Sequence, residues 1–118
     1  ALAEERGERL VFVAGADLAH VGPRFGDDTP YDEEQRHALE TADRESLAHA
    51  TAHEAAGFWG HVSNDNDTRR VCGLAPIYAM LKSMPASTTA HAETLCYEQT
   101  IDPDDGSIVS HASVAFYR

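Results

Sequence analysis

Leu10-Val11-Phe12-Val13-Ala14 runs straight into Gly15-Ala16-Asp17-Leu18-Ala19-His20, and this stretch decides the fold. A short unbroken apolar run containing β-branched residues is the pattern of a strand covered on both faces. An Asp-x-x-His pattern then follows, just past the carboxyl end of that strand. In open α/β sheets this is where ligands bind, because strand ends and loops form a crevice there. Taken alone, the pattern leaves two readings open. Both side chains can turn toward one point, or Asp17 can cap loop backbone while His20 fills space.

On either side of this stretch the punctuation is clear. Residues 1–8 read as the last turns of a helix, with Gly7 as terminator. Residues 15–29 form a loop, marked by Gly22-Pro23 and Gly26. A short helix is expected over 32–41, capped by Asp32 or Thr29. A longer helix is expected over 42–62, with Ala48, Ala52, Ala55, Trp59 and Val62 as its buried stripe. Asn64-Asp65-Asn66-Asp67 is a polar break. The next helix covers 73–84, with Pro76 tolerated in its first turn and Pro85 just past its end. Its apolar positions are Leu74, Ile77, Tyr78, Leu81 and Met84.

The C-terminal part reads as a β-hairpin, 92–101 and 107–117, joined by the turn string Asp102-Pro103-Asp104-Asp105-Gly106. The last strand is apolar on both faces and is therefore expected to be internal. Three strands with three or four helices indicate α/β, although typical sheets carry about five or six strands. The chain also opens inside an element. Both features point to a piece of a larger α/β domain.

With 118 residues the chain is one domain's worth and can bury a core. Nine basic residues against twenty acidic ones give a formal charge of -11, which repels polyanions and anionic membrane surfaces. Trp59 and the tyrosines lack a basic neighbourhood, which argues against nucleic-acid stacking. Two cysteines, Cys72 and Cys96, are too few for a disulfide scaffold. They are expected as free thiols in a reducing compartment, hence a cytoplasmic location. No apolar run approaches the roughly 18 residues of a membrane span, and residues 1–9 lack the order of a secretion signal.

Cys72, in Arg70-Val71-Cys72-Gly73, precedes a helix whose free N–H groups and dipole favour an anion. The thiolate is the form that binds metal or attacks electrophiles; the plainer alternative is a buried structural cysteine. His49 and His53 stand four apart with Glu45 and Glu54 nearby, a spacing that can present two imidazoles to one metal. A solvated helix face explains them more simply. His37, His61, His91 and His111 read as surface or packing residues. Asp65, Asn66 and Asp67 lack the glycine and distal glutamate of a calcium loop. There is no phosphate-binding glycine loop, serine nucleophile elbow or CxxC.

Three strings resemble one family. Val13-Ala14-Gly15-Ala16-Asp17-Leu18-Ala19-His20-Val21-Gly22 resembles the Asp-Leu-Ser-His segment of the Memo-like family, also called AmmeMemoRadiSam system protein B. Arg70-Val71-Cys72-Gly73-Leu74-Ala75-Pro76-Ile77 resembles its Cys-Gly-x-x-Pro-Ile segment. Ile108-Val109-Ser110-His111-Ala112-Ser113-Val114-Ala115-Phe116 resembles its closing strand. Ala19 departs from the family's usual serine, and Val21 from a frequent aromatic.

The resemblance implies a fold similar to class III extradiol dioxygenases: an α/β three-layer sandwich with a mixed central sheet. Residues 1–118 would form a single-domain fragment, the C-terminal part of that fold. It also implies a transition-metal pocket (Fe, Cu or Zn) at the sheet's loops, holding Asp17, His20 and Cys72, with His20 as ligand or acid/base. Further pocket histidines would come from an N-terminal half without counterpart here. Radical-SAM and AMMECR1-like proteins are the implied partners. The ring-cleaving relatives use two histidines and one carboxylate, so their dioxygenase activity does not transfer residue by residue. Three functions follow as expectations: a metal-binding Memo-like pocket, a dioxygenase-like oxidoreductase, or a non-catalytic peptide- or partner-binding module.

Overall fold

The computed structural model describes residues 5–8, 10–64, 66–85 and 91–117. Strand β1 is only His20–Val21 and is followed by a 3-10 helix, Pro23–Phe25. Helices α1 (Glu33–Thr51), α2 (Ala55–Ser63) and α3 (Leu74–Ser83) come next, then strands β2 (His91–Ile101) and β3 (Ile108–Tyr117). The strand order is β1-β3-β2 with both pairings antiparallel. The last strand is thus internal, as its two apolar faces require.

The hairpin is built as its turn string dictates. Asp102 N–H donates to Ser107 O at 2.8 Å and Gly106 N–H to Asp102 O at 2.9 Å. Gly106 takes a φ of 72°, which a glycine adopts without steric cost. Asp102 and Asp105 accept further backbone bonds from Asp104 and Ser107. A bulge between Thr94 and Cys96 gives β2 one extra residue.

Helix α1 begins at a reciprocal capping box. Gln35 N–H donates to Asp32 Oδ1 at 2.8 Å, and Asp32 N–H donates to Gln35 Oε1 at 2.9 Å. Glu33 and Glu34 in the first turn complement the positive end of the helix dipole. The helix does not stop near residue 41, as expected from sequence. Thr41 Oγ1 merely donates to His37 O, and nothing there breaks the ladder. The break falls at 52–54, where His53 takes a φ of 59° and its Nε2 donates to Leu81 O at 2.8 Å. That bond ties the α1–α2 corner to α3, a tertiary contact with no glycine or proline to announce it.

Moving the break changes the phase of the buried stripe. Leu39, Asp43, Ser46, Leu47 and Ala50 are buried on α1, and Ala55, Phe58 and Val62 on α2. Ala48 and Ala52 are exposed instead, and Trp59 lies at the surface, edge-on to Tyr78 with ring centroids 5.1 Å apart. Helix α3 matches its expected span, with Gly73 as N-cap and Pro85 just beyond the C-cap Met84.

Leu18, Leu47, Phe58, Val62, Val71, Leu81 and Met84 form the main core, against which Tyr97, Ala112, Val114 and Phe116 of the hairpin pack. A second cluster joins Ala19, Val21, Leu39 and Ile108. Each fully buried large side chain contributes roughly 1.5–3 kcal/mol. Both clusters lie on the helical side of the sheet, whereas Glu93, Glu98, Thr100, Ser113 and Tyr117 are exposed. The α/β expectation holds. The described residues form two layers with an antiparallel sheet, so the third layer and the parallel pairing of a mixed sheet are not among them.

The largest departure concerns residues 10–14. They carry no strand assignment, and Val11 and Val13 are 87% and 82% exposed. Only Phe12 of the run packs against the main core. Apolar character favours burial, but a strand needs hydrogen-bonding neighbours, and no described segment supplies them. At residues 1–8 the terminal helical reading falls largely outside the described residues, although Gly7 does take a φ of 67°.

Candidate metal centre

The two loops that carry the candidate ligands are stitched to each other and to β3. Leu18 N–H donates to Ser110 O at 2.8 Å, and Ser110 N–H donates to Ala19 O at 3.0 Å. Ala19 N–H donates to Ser110 Oγ at 2.9 Å. His20 N–H crosses to the second loop, donating to Arg69 O at 2.8 Å. Gly73 N–H closes the pair from the other side, donating to Asp17 O at 3.0 Å. This last contact requires glycine, since a Cβ at residue 73 would lie 2.5 Å from Asp17 O. A backbone atom cannot swing aside as a side-chain tip can.

As a result, Asp17, His20 and Cys72 meet. Their potential ligand atoms all lie within 4.8 Å of one another, with Asp17 and Cys72 exposed and His20 half-buried. Cys72 Sγ also lies 3.5 Å from Asp17 O. His20 Nδ1 sits 3.2 Å from both Leu18 O and Arg70 O. Carbonyls only accept, so Nδ1 carries a proton, and Nε2 is the nitrogen left to offer a lone pair to an ion. That is the arrangement of a metal-binding imidazole whose other nitrogen is fixed by backbone. Phe25 packs edge-on against the ring at 5.1 Å, restricting it further.

Arg70 holds the second loop in shape. It takes a φ of 51°, a costly conformation for a side chain of its size. Its guanidinium pairs with Asp27 through bonds of 3.2 and 2.7 Å and donates to His20 O at 3.3 Å. Asp27 Oδ2 also accepts from Gly22 N–H at 2.7 Å. The Arg70 guanidinium, and after it the Gly22 N–H, hold the Asp27 carboxyl below its ordinary value.

Beneath the loops lies a buried polar network. Asp43, fully buried, accepts from Arg69 Nη1 at 2.7 Å, Ser110 Oγ at 2.5 Å and Tyr97 OH at 3.0 Å. Arg69 Nη2 also donates to Ser46 Oγ at 3.0 Å. Burial, first, and the nearby Asp43 charge push the Tyr97 phenol well above its ordinary value, so it remains a donor. Sequence reasoning missed this network. One signal was present: Asp43 shares the helical phase of Leu39 and Leu47, where a carboxylate must find partners or destabilise the core.

The other sequence-derived ligands do not converge. His49 Nδ1 pairs with Glu54 at 2.8 Å, while His53 turns to Leu81 O. His61 bridges Ser46 and Glu45, His111 bonds Thr100 and His91 stacks on Tyr117. Among the described residues, Asp17, His20 and Cys72 are the one group of three spaced for a metal ion. Both cysteines are free and exposed, which corrects the alternative of a buried structural Cys72. No described helix is long and apolar enough to cross a membrane.

A helical layer on an antiparallel sheet, with oxygen, nitrogen and sulfur donors gathered where two loops meet, defines an α/β protein with a candidate metal centre. The sequence profile of the family described as Memo-like protein matches residues 1–115, and the chain belongs to that family. No curated protein matches it.

Proposed function

We propose that this Memo-like protein holds a transition-metal ion through an Asp17 carboxylate oxygen, His20 Nε2 and Cys72 Sγ. The observation that carries the proposal is the convergence of three chemically different donors, with His20 Nδ1 held by two backbone carbonyls and Nε2 left for an ion. The donor set fits: a tetrahedral ion bound at roughly 2.0–2.3 Å needs donor pairs about 3.5 Å apart. The donor atoms lie within 4.8 Å of one another, and Asp17 and Cys72 are exposed, so their side chains have room to rotate into that range. These three ligands fill three positions of a tetrahedral ion, and the fourth falls to water, a substrate or a further histidine of the kind that the family resemblance implies.

A thiolate in the set favours zinc or copper(I) over iron(II). The two-histidine, one-carboxylate set of the dioxygenases is not met among the described residues, so ring cleavage is the weaker reading. A bound ion would supply Lewis acidity or, for a redox metal, electron transfer. The chain's own residues position it: Gly73 sets the approach of the two loops, and the Leu18 and Arg70 carbonyls orient His20. Ligation occupies Nε2, so His20 cannot simultaneously carry a proton there. Partnership with radical-SAM and AMMECR1-like proteins, and a cytoplasmic location, belong to the same proposal; the free thiols support a reducing compartment.

The test is metal content of the purified protein beside Asp17→Ala, His20→Ala and Cys72→Ser. About one ion per chain is expected for the wild type, with a clear loss in each variant. Equal metal content in all four proteins would remove the centre.

A further inference from the structure

We infer that Asp43, which contacts none of the three ligands, is the positioning residue of the proposed centre: it sets the separation of the two ligand-bearing loops through Ser110 and Arg69. This inference rests on the metal-centre reading above. The hydrogen-bond directions around Ser110 are forced. A backbone N–H can only donate, so Ser110 Oγ accepts from Ala19 N–H at 2.9 Å. The single Ser110 hydroxyl proton then goes to Asp43 Oδ2 at 2.5 Å. Asp43 must therefore be an acceptor here, and Tyr97 adds a second donor to the same oxygen at 3.0 Å.

From Oδ1 the same carboxylate reaches the other loop. Arg69 Nη1 donates to it at 2.7 Å, and the Arg69 carbonyl accepts His20 N–H at 2.8 Å. Arg70, the next residue, supplies the carbonyl facing His20 Nδ1, and Cys72 follows two residues on. Ser110 meanwhile grips Leu18 and Ala19, which lie between Asp17 and His20. One buried carboxylate on α1 thus fixes the backbone on both sides of the site. Loss of its charge frees Arg69 and Ser110 together, and the donor atoms drift apart. Supporting groups of this kind typically change metal affinity by about 10–100-fold.

The experiment is a cobalt(II) titration of the whole protein, read through the thiolate-to-cobalt charge-transfer band, with amide hydrogen exchange measured on the metal-free protein. Asp43→Asn and Ser110→Ala are compared with Leu47→Ala, a core truncation on the same helix. Both network variants are expected to weaken cobalt binding about 10–100-fold while keeping the band. They should also speed exchange at the Ala19 and His20 amides selectively. Leu47→Ala should lower melting temperature but leave affinity within about twofold. If Ser110→Ala and Leu47→Ala weaken binding equally, or if Ser110→Ala leaves both affinity and exchange at Ala19 unchanged, the assignment is overturned. Binding that depends on His20 and Cys72 but not on Asp43 or Ser110 would overturn this inference alone. Wild-type protein that binds no cobalt would overturn the metal centre and this role with it.

Discussion

Residues 10–14 and residues 18–21 are neighbours in the chain and opposites in the structure. The first run is the more apolar, yet Val11 and Val13 stand in solvent and no strand forms. The second contains a histidine and an alanine, yet every backbone N–H from Leu18 to His20 has a partner on β3, Ser110 or Arg69. Leu18, Ala19 and Val21 are buried as a result. Apolar composition sets how much a segment would gain from burial. Whether it is buried depends on which neighbours hydrogen-bond to it, and here β3 engages residues 18–21 but not residues 10–14.

Replacing Leu18 by Ala should break the anchored side most severely. Leu18 sits in the main core, and its truncation should cost about 3 kcal/mol, measured by urea unfolding. Gly73→Ala comes next, because its Cβ would collide with Asp17 O. A loss of about 2 kcal/mol is expected, together with weaker metal binding as Cys72 moves from Asp17. Unchanged metal affinity in that variant would show that the close approach serves packing only.

Smaller effects sharpen the contrast. Asp27 has a folded pKa below its unfolded value of about 3.9. Its pairing with Arg70 therefore stabilises the fold above that unfolded value, and the contribution is lost as pH falls through the folded one. Asp27→Asn should flatten the acid limb of the stability–pH curve while leaving its neutral-to-basic shape unchanged. The smallest effect belongs to the unanchored side: Val11→Asp should alter stability by no more than about 0.5 kcal/mol. A loss above about 1.5 kcal/mol would mean that this stretch is buried in the protein in solution.

The hairpin and α3 were readable because local chemistry decides them. Asp102-Pro103-Asp104-Asp105-Gly106 can do little but turn, and Gly73 and Pro85 bracket a helix whose apolar spacing is regular. The candidate ligands that converge were readable too, since Asp17, His20 and Cys72 adjoin recognisable boundaries. What sequence reasoning misjudged depends on distant partners. The α1–α2 corner is held by His53 reaching Leu81 across the fold, so the break fell at 52–54 instead of at 41. Asp43 lies 26 residues from Arg69 and 67 from Ser110, and only the packed structure shows a carboxylate shared between them. The same holds for residues 10–14, whose apolar pattern says nothing about who pairs with them.

Convergence of the two loops on one ion can be measured directly by X-ray absorption fine structure on the zinc-loaded protein. One sulfur at about 2.3 Å with nitrogen or oxygen neighbours at about 2.0–2.1 Å is the predicted coordination shell, and the sulfur should vanish in Cys72→Ser. A shell of nitrogen and oxygen alone in the wild type would contradict the account, because it would leave Cys72 outside the site that Gly73 brings it to.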